Sequence, residues 1–340
     1  MSVNVPVLRP DSKVAGTINI FLVCLQLLGI CKNRVTMEKF SIEGSCDGLK
    51  LSCLVCEPDK DVQMKGVMVL VHGMCEHKER YVKLMDYLST AGYACVISDL
   101  RGHGESVLRQ EDLGYMYSGG WVAMVEDITL VVRWAKARYP DLKVTLFGHS
   151  MGSLVVRSLA KRHDDMIDRL IVCGCPSDNP AKGVGKTIAK IAGLVCGWHS
   201  RPGLLQAMSF GAYNKPFRNE GYKASWVCSD KEVLDEYHSD PLCQFVFTAN
   251  GFYNLMGLMQ DCYDTEGWKV SRPGIPVRFI SGAQDPCRVS DKALSEAAES
   301  MRKIGYSDVS LKIYPGMRHE IHNETLAPGT VWPDILGMLD

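Results

Sequence analysis

From about residue 40 onward, short apolar runs alternate with longer stretches in which apolar residues recur every three or four positions. The runs at residues 49–56, 67–71, 93–98, 143–147, 169–173, 277–281 and 309–313 have strand length and are rich in Val, Ile, Leu and Cys. Those at 67–71, 93–98 and 169–173 carry almost no alternation, as expected of strands covered on both faces. Between them, residues 81–90 read as a helix closed by Gly92, and residues 122–139 as one stopped by Pro140. Strand followed by helix, repeated, predicts an α/β architecture with a largely parallel sheet.

The alternation stops at Cys175 and resumes near Pro273. Residues 176–273 therefore read as an insertion dividing a core into residues 37–175 and 274–340. Two apolar helices are expected in it, one around Ile188, Ala189, Ile191, Ala192, Leu194 and Val195, the other running from Phe245 through Phe252, Leu255 and Met259. These side chains either form the insertion's own core or line a tunnel for an acyl chain. Residues 1–36 stand apart. Their uncharged stretch from 14 to 31 reaches the minimum length of a membrane span, but Thr17, Asn19 and Gln26 interrupt it. It reads as a marginal anchor, a loosely docked apolar helix, or an extension ahead of a start at Met37.

With 340 residues, 46% of them hydrophobic, the chain can bury a large core. Its 38 basic and 39 acidic residues nearly cancel, which removes the basic field that nucleic-acid binding needs and favours a small neutral or amphiphilic ligand. The fourteen cysteines are scattered through apolar runs, where a thiol acts as a small hydrophobe, and imply a reducing, cytoplasmic setting rather than a disulfide framework. Cys53 and Cys56 have CxxC spacing but lie on an expected strand, facing opposite sides, with no second pair to complete a zinc site.

The chemistry gathers around Gly148-His149-Ser150-Met151-Gly152, which follows the strand at 143–147 and precedes a helical pattern through Leu154, Val155 and Leu159. A serine held on such a strand-to-helix turn is an exposed nucleophile, provided a base takes its proton and a carboxylate orients that base. His319, in the turn after the strand at 309–313, is the expected base, with His322 as competitor. Asp285, just past the strand at 277–281, is the expected acid, with Asp240 as the main alternative and Asp99 disfavoured because it precedes the serine. The oxyanion would be met by the backbone N–H groups of Met151 and of Met74, the latter in the loop after the strand at 67–71. No partner with metal-ligand logic accompanies His72 or His77.

Together, His72-Gly73, Asp99-x-x-Gly102-His103-Gly104-x-Ser106, the Ser150 pentapeptide, Gly282-x-x-Asp285 and His319 resemble the monoacylglycerol lipase and lysophospholipase group of α/β-hydrolases, a group also placed with serine aminopeptidases. The resemblance implies an eight-stranded sheet, a helical cap after the sixth strand, and hydrolysis of a single acyl ester without metal or organic cofactor. It implies a small amphiphilic lipid ester as substrate, and the apolarity of Ile188 to Val195 predicts that the cap touches membrane surfaces transiently. Met74-Cys75 stands where eukaryotic members carry Ala-Gly, which implies a tighter pocket beside the oxyanion hole. An aminopeptidase using the same triad, its cap acids Asp230, Glu232, Asp235 and Glu236 holding a peptide amino terminus, is the alternative, as is a short-chain carboxylesterase. Gly183-Val184-Gly185-Lys186-Thr187 lacks the first glycine of a phosphate-binding loop, and His319-Glu320-Ile321-His322 is one residue short of a zinc-protease signature.

Overall fold

The computed structural model describes residues 36–340, and the readings of the amino-terminal extension fall on residues outside that range, save that Thr36 opens the first strand. In chain order the strands are β1 (Thr36–Glu43), β2 (Lys50–Glu57), β3 (Gly66–Val71), β4 (Tyr93–Ser98), β5 (Val144–His149), β6 (Arg169–Cys173), β7 (Val277–Gly282) and β8 (Val309–Tyr314). They form one sheet in the order β1-β2-β4-β3-β5-β6-β7-β8. The pairs β1·β2 and β2·β4 are antiparallel and all others parallel. β3, β4, β5 and β6 are buried along their whole length, which is why their sequences are continuous apolar runs.

The helices are α1 (Val82–Thr90), α2 (Gly120–Arg138), α3 (Met151–His163), α4 (Lys182–Cys196), α5 (Gly203–Phe210), α6 (Lys231–Ser239), α7 (Ala249–Tyr263), α8 (Asp291–Ile304) and α9 (Val331–Leu339). Apolar side chains cover both faces of the sheet. One layer joins β3 and β5 to α2, α3 and α8 through residues such as Val69, Leu146, Val132, Leu154 and Ala298. The other joins the opposite face to α1 and α9 through Leu70, Phe147, Leu84 and Ile335.

Helices α4 to α7 lie between β6 and β7, as the resemblance implies; α4 and α7 pack on each other, and α7 also packs on α2 and α3 of the core. Ala189, Leu205, Phe247, Phe252, Leu255 and Leu258 join the same apolar layer as α2 and α3. Val227, Cys228 and Leu234 form a small cluster of their own. The helix expected from Phe245 starts instead at Ala249, where the Thr248 hydroxyl accepts the Gly251 N–H as a cap. Residues 183–187 lie inside α4, so their glycines form no phosphate cradle.

Candidate active site

Ser150 sits between β5 and α3 at φ 54°, ψ −120°, a conformation that costs a non-glycine residue about 1–3 kcal/mol. The close approach behind it demands glycine on both sides. A Cβ on Gly148 would stand 2.4 Å from the Gly152 carbonyl oxygen, and one on Gly152 would stand 2.3 Å from that of Val71. The elbow is anchored by the Ser150 N–H, which donates to the Cys173 carbonyl at 2.9 Å. The backbone therefore holds the hydroxyl at the carboxyl edge of the sheet, half-buried.

Asp285 and His319 emerge at the same edge, from the turns after β7 and β8. His319 Nδ1 lies 2.9 Å from Asp285 Oδ1. The carboxylate also accepts the Cys287 N–H at 2.8 Å and the Ser281 hydroxyl at 3.3 Å. Burial alone would raise the Asp285 pKa, but His319 and the Cys287 N–H outweigh it and bring the carboxyl below its ordinary range. An ionised Asp285 facing Nδ1 keeps the Nδ1–H tautomer, leaving the Nε2 lone pair free to accept a proton.

Residues 72–77 carry the expected oxyanion loop. His72 is fully buried, with Nε2 2.9 Å from the Leu100 N–H and Nδ1 2.8 Å from the Gly73 carbonyl. These partners assign it the neutral Nδ1–H tautomer, and burial lowers its pKa accordingly. Glu76 Oε1 accepts the Gly73 N–H and lies 2.8 Å from Nδ1 of His149, the residue before the nucleophile. His149 Nε2 points at the His319 carbonyl oxygen, 3.2 Å away. Both partners of this ring are acceptors, an arrangement that favours the imidazolium, which can donate from each nitrogen. Burial opposes that charge, but Glu76 outweighs it and raises the pKa. Glu76 is in turn held well below the usual carboxylate range, its burial outweighed by His149.

Cys75 takes φ 56°, a left-handed position where the glycine of the eukaryotic pattern would be unstrained. Its thiol donates to the Phe245 carbonyl at 3.2 Å, tying the loop to the insertion. The insertion reaches over the site elsewhere too. The Trp226 ring lies 5.0 Å from that of His319, and Tyr213 packs edge-on to Trp226 at 5.1 Å, with Phe210 beside both. Arg318, next to the expected base, binds Glu220 and donates to the Ser225 and Cys228 carbonyls at 2.7 and 3.0 Å.

Among the alternatives, His322 is fully buried, stacks on Tyr81 at 4.7 Å, and has neither ring nitrogen partnered among the described residues. Burial, reinforced by the His149 charge, holds it well below the ordinary histidine value, so it stays neutral. Asp240 lies in the insertion. It ends α6, and its Oδ2 lies 2.7 Å from His77 Nε2. The short-range pattern assigns no role to Glu76, His149 or Arg318, because each acts through a turn distant in the chain.

A profile described as serine aminopeptidase, S33 (Hydrolase_4) matches residues 62–326. Among known proteins, a monoacylglycerol lipase of Mycolicibacterium smegmatis is 28% identical over 278 residues, covering 82% of this chain and 88% of that protein. A monoglyceride lipase of Homo sapiens is 25% identical over 285 residues, covering 82% and 83%. A thermostable carboxyl esterase from Bacillus coagulans matches in structure with a TM-score of 0.80 at 24% identity, covering 90% of this chain and 100% of that one. A soluble variant of the monoglyceride lipase of Saccharomyces cerevisiae matches with a TM-score of 0.67 at 21% identity, covering 91% and 95%. At these identities the structural likeness concerns the fold.

Proposed function

The chain belongs to the serine aminopeptidase S33 family of α/β-hydrolases, and within it we propose that it hydrolyses the carboxylic ester of a single-chain lipid, a monoacylglycerol or lysophospholipid. Ser150 attacks the ester carbonyl while His319 Nε2 takes its proton. His319 then protonates the leaving alcohol, and water, activated by the same nitrogen, releases the fatty acid. Asp285 orients the ring and stabilises the imidazolium that forms. The observation that carries this reading is the 2.9 Å His319–Asp285 contact at the sheet edge where the strained Ser150 elbow also lies.

The oxyanion is assigned to the N–H groups of Met151 and Met74. Met151 is the first residue of α3, where a backbone N–H has no partner within the helix, and Met74 follows Gly73, which Glu76 fixes. The substrate class is supported by the aromatic ceiling of Tyr213 and Trp226 and by the names borne by relatives. Contact with a lipid surface is supported by α4 and α5, on which Val184, Leu194, Val195 and Leu204 are all more than half exposed. Among the described residues no helix is long and apolar enough to cross a membrane.

The cap acids of the aminopeptidase alternative are placed elsewhere. Asp230 caps α6, and Asp235 accepts the Tyr222 hydroxyl at 2.8 Å. Glu232 and Glu236 line a cavity of about 290 Å³ whose walls include neither Ser150 nor His319. The test is a panel of monoacylglycerols, lysophospholipids, p-nitrophenyl esters and a chromogenic aminoacyl amide, run beside Ser150→Ala. Monoacyl lipids should be turned over fastest and the variant should be inactive. Preference for the amide, or activity that survives Ser150→Ala, would overturn the reading.

A further inference from the structure

His319 has a neighbour that the hydrolytic scheme does not use. Cys287, on the Asp285 turn, places its Sγ 3.9 Å from His319 Nε2, the nitrogen that must accept the serine proton. Both side chains are buried, with only 5% and 3% of their residues' surface exposed. The donor atoms of Asp285, Cys287 and His319 all lie within 4.8 Å of one another.

We propose that this corner is an inhibitory binding site for a soft divalent cation, Cd²⁺ or Zn²⁺, held by Cys287 Sγ and His319 Nε2. Zinc bonds of about 2.3 Å to sulfur and about 2.0–2.1 Å to nitrogen place the two donors roughly 3.6 Å apart in a tetrahedral site. The observed 3.9 Å therefore needs an adjustment of only a few tenths of an ångström. Asp285 completes the arrangement from behind: by holding Nδ1 it fixes the tautomer and aims the Nε2 lone pair outward, the role a carboxylate plays behind many metal-bound histidines. Binding forms one metal–sulfur and one metal–nitrogen bond and releases the thiol proton to water, and water fills the remaining positions. The bound ion occupies the lone pair that general-base catalysis requires, so occupancy and hydrolysis exclude each other.

The inhibition rests on His319 being the base, whereas binding does not, and the experiment separates the two. The full chain is titrated with Cd²⁺ while ester hydrolysis and the ultraviolet sulfur-to-cadmium charge-transfer band are both followed. The proteins compared are the unaltered chain, Cys287→Ala, Ser150→Ala, and a Cys46→Ser, Cys196→Ser double variant that removes two exposed thiols. The band should saturate at one ion per chain in all but Cys287→Ala, including the inactive Ser150→Ala. Cys287→Ala should keep its basal hydrolysis and need at least about tenfold more Cd²⁺ for half-inhibition, in keeping with the loss of a metal partner. Cys287→Ser gives the same reading should the alanine variant fail to fold. Inhibition and a band undiminished in both Cys287 variants, or inhibition that a chelator does not reverse, would overturn the site. A band that follows Cys287 without inhibition would keep the ion site and reject His319 as the base.

Discussion

Glu76 and His149, 73 residues apart in the chain, meet as a buried ion pair with Oε1 2.8 Å from Nδ1. The pair joins three loops. Glu76 holds the loop after β3 through Gly73, His149 precedes Ser150, and the far side of its ring meets the His319 backbone. Removing one partner leaves the other as an uncompensated buried charge, so Glu76→Ala should lower stability by roughly 3–5 kcal/mol. Glu76→Gln, which keeps an acceptor for Gly73 but loses the charge, should fall between that variant and the unaltered protein. Urea unfolding at neutral pH measures both, and a loss below about 1 kcal/mol for the alanine variant would contradict the pairing.

The Ser150 elbow predicts a trade between stability and function. Glycine adopts φ 54°, ψ −120° with little strain, whereas serine there carries about 1–3 kcal/mol. The greater freedom of glycine in the unfolded chain offsets part of that difference. Ser150→Gly should therefore be inactive yet more stable by about 1 kcal/mol. A clear loss of stability would show that the elbow is not strained.

Much of this site is legible along the chain, because its parts are short-range. Ser150 and Asp285 stand just past runs that are readable because β5 and β7 are buried almost throughout, and His319 follows β8, which is readable by its alternation. What escapes is pairing between distant turns. Nothing local to Glu76 announces His149, and nothing near Arg318 announces Glu220, 98 residues away. The insertion is legible only in part for a related reason. An apolar helix carries no mark of how many partners it will meet: α7 packs on α4, as an insertion's own core requires, but also on α2 and α3. Asp240 is ambiguous in the same way, since its role comes from His77 across 163 residues.

Asp285→Asn tests the orienting carboxylate. An asparagine can present its NH₂ to Nδ1, favouring the tautomer that carries hydrogen on Nε2 and has no lone pair for the serine proton. The turnover number should fall about 10³–10⁴-fold while the folded structure persists. Steady-state kinetics beside circular dichroism decide it. A loss smaller than tenfold would remove Asp285 from the triad.

Arg318 links the base's turn to the aromatic part of the cap, through Glu220 and the carbonyls of Ser225 and Cys228. Arg318→Ala should release Trp226 and its neighbours from above His319. The expected effect depends on the acyl chain: activity on long-chain monoacylglycerols should fall at least about tenfold through a higher KM, while p-nitrophenyl acetate, which needs no ceiling, changes little. Equal losses on both substrates would mean that Arg318 serves the triad rather than the acyl pocket.

His77 joins the oxyanion loop to the cap, with Nδ1 2.7 Å from Glu79 Oε2 and Nε2 2.7 Å from Asp240 Oδ2. Burial pulls its pKa down, but the hydrogen bonds and charges of the two carboxylates prevail and raise it above the ordinary value. A group raised in this way contributes stability that is fully present below its unfolded pKa, about 6.5, and is lost as pH climbs through the folded value. The stability difference between the unaltered protein and Asp240→Asn should accordingly be largest below about pH 6 and shrink steadily on the alkaline side. Thermal unfolding of both proteins in one buffer series across that interval measures it. A difference that widened with rising pH would mean that the His77 bridge holds the cap as a neutral hydrogen bond and carries no charge.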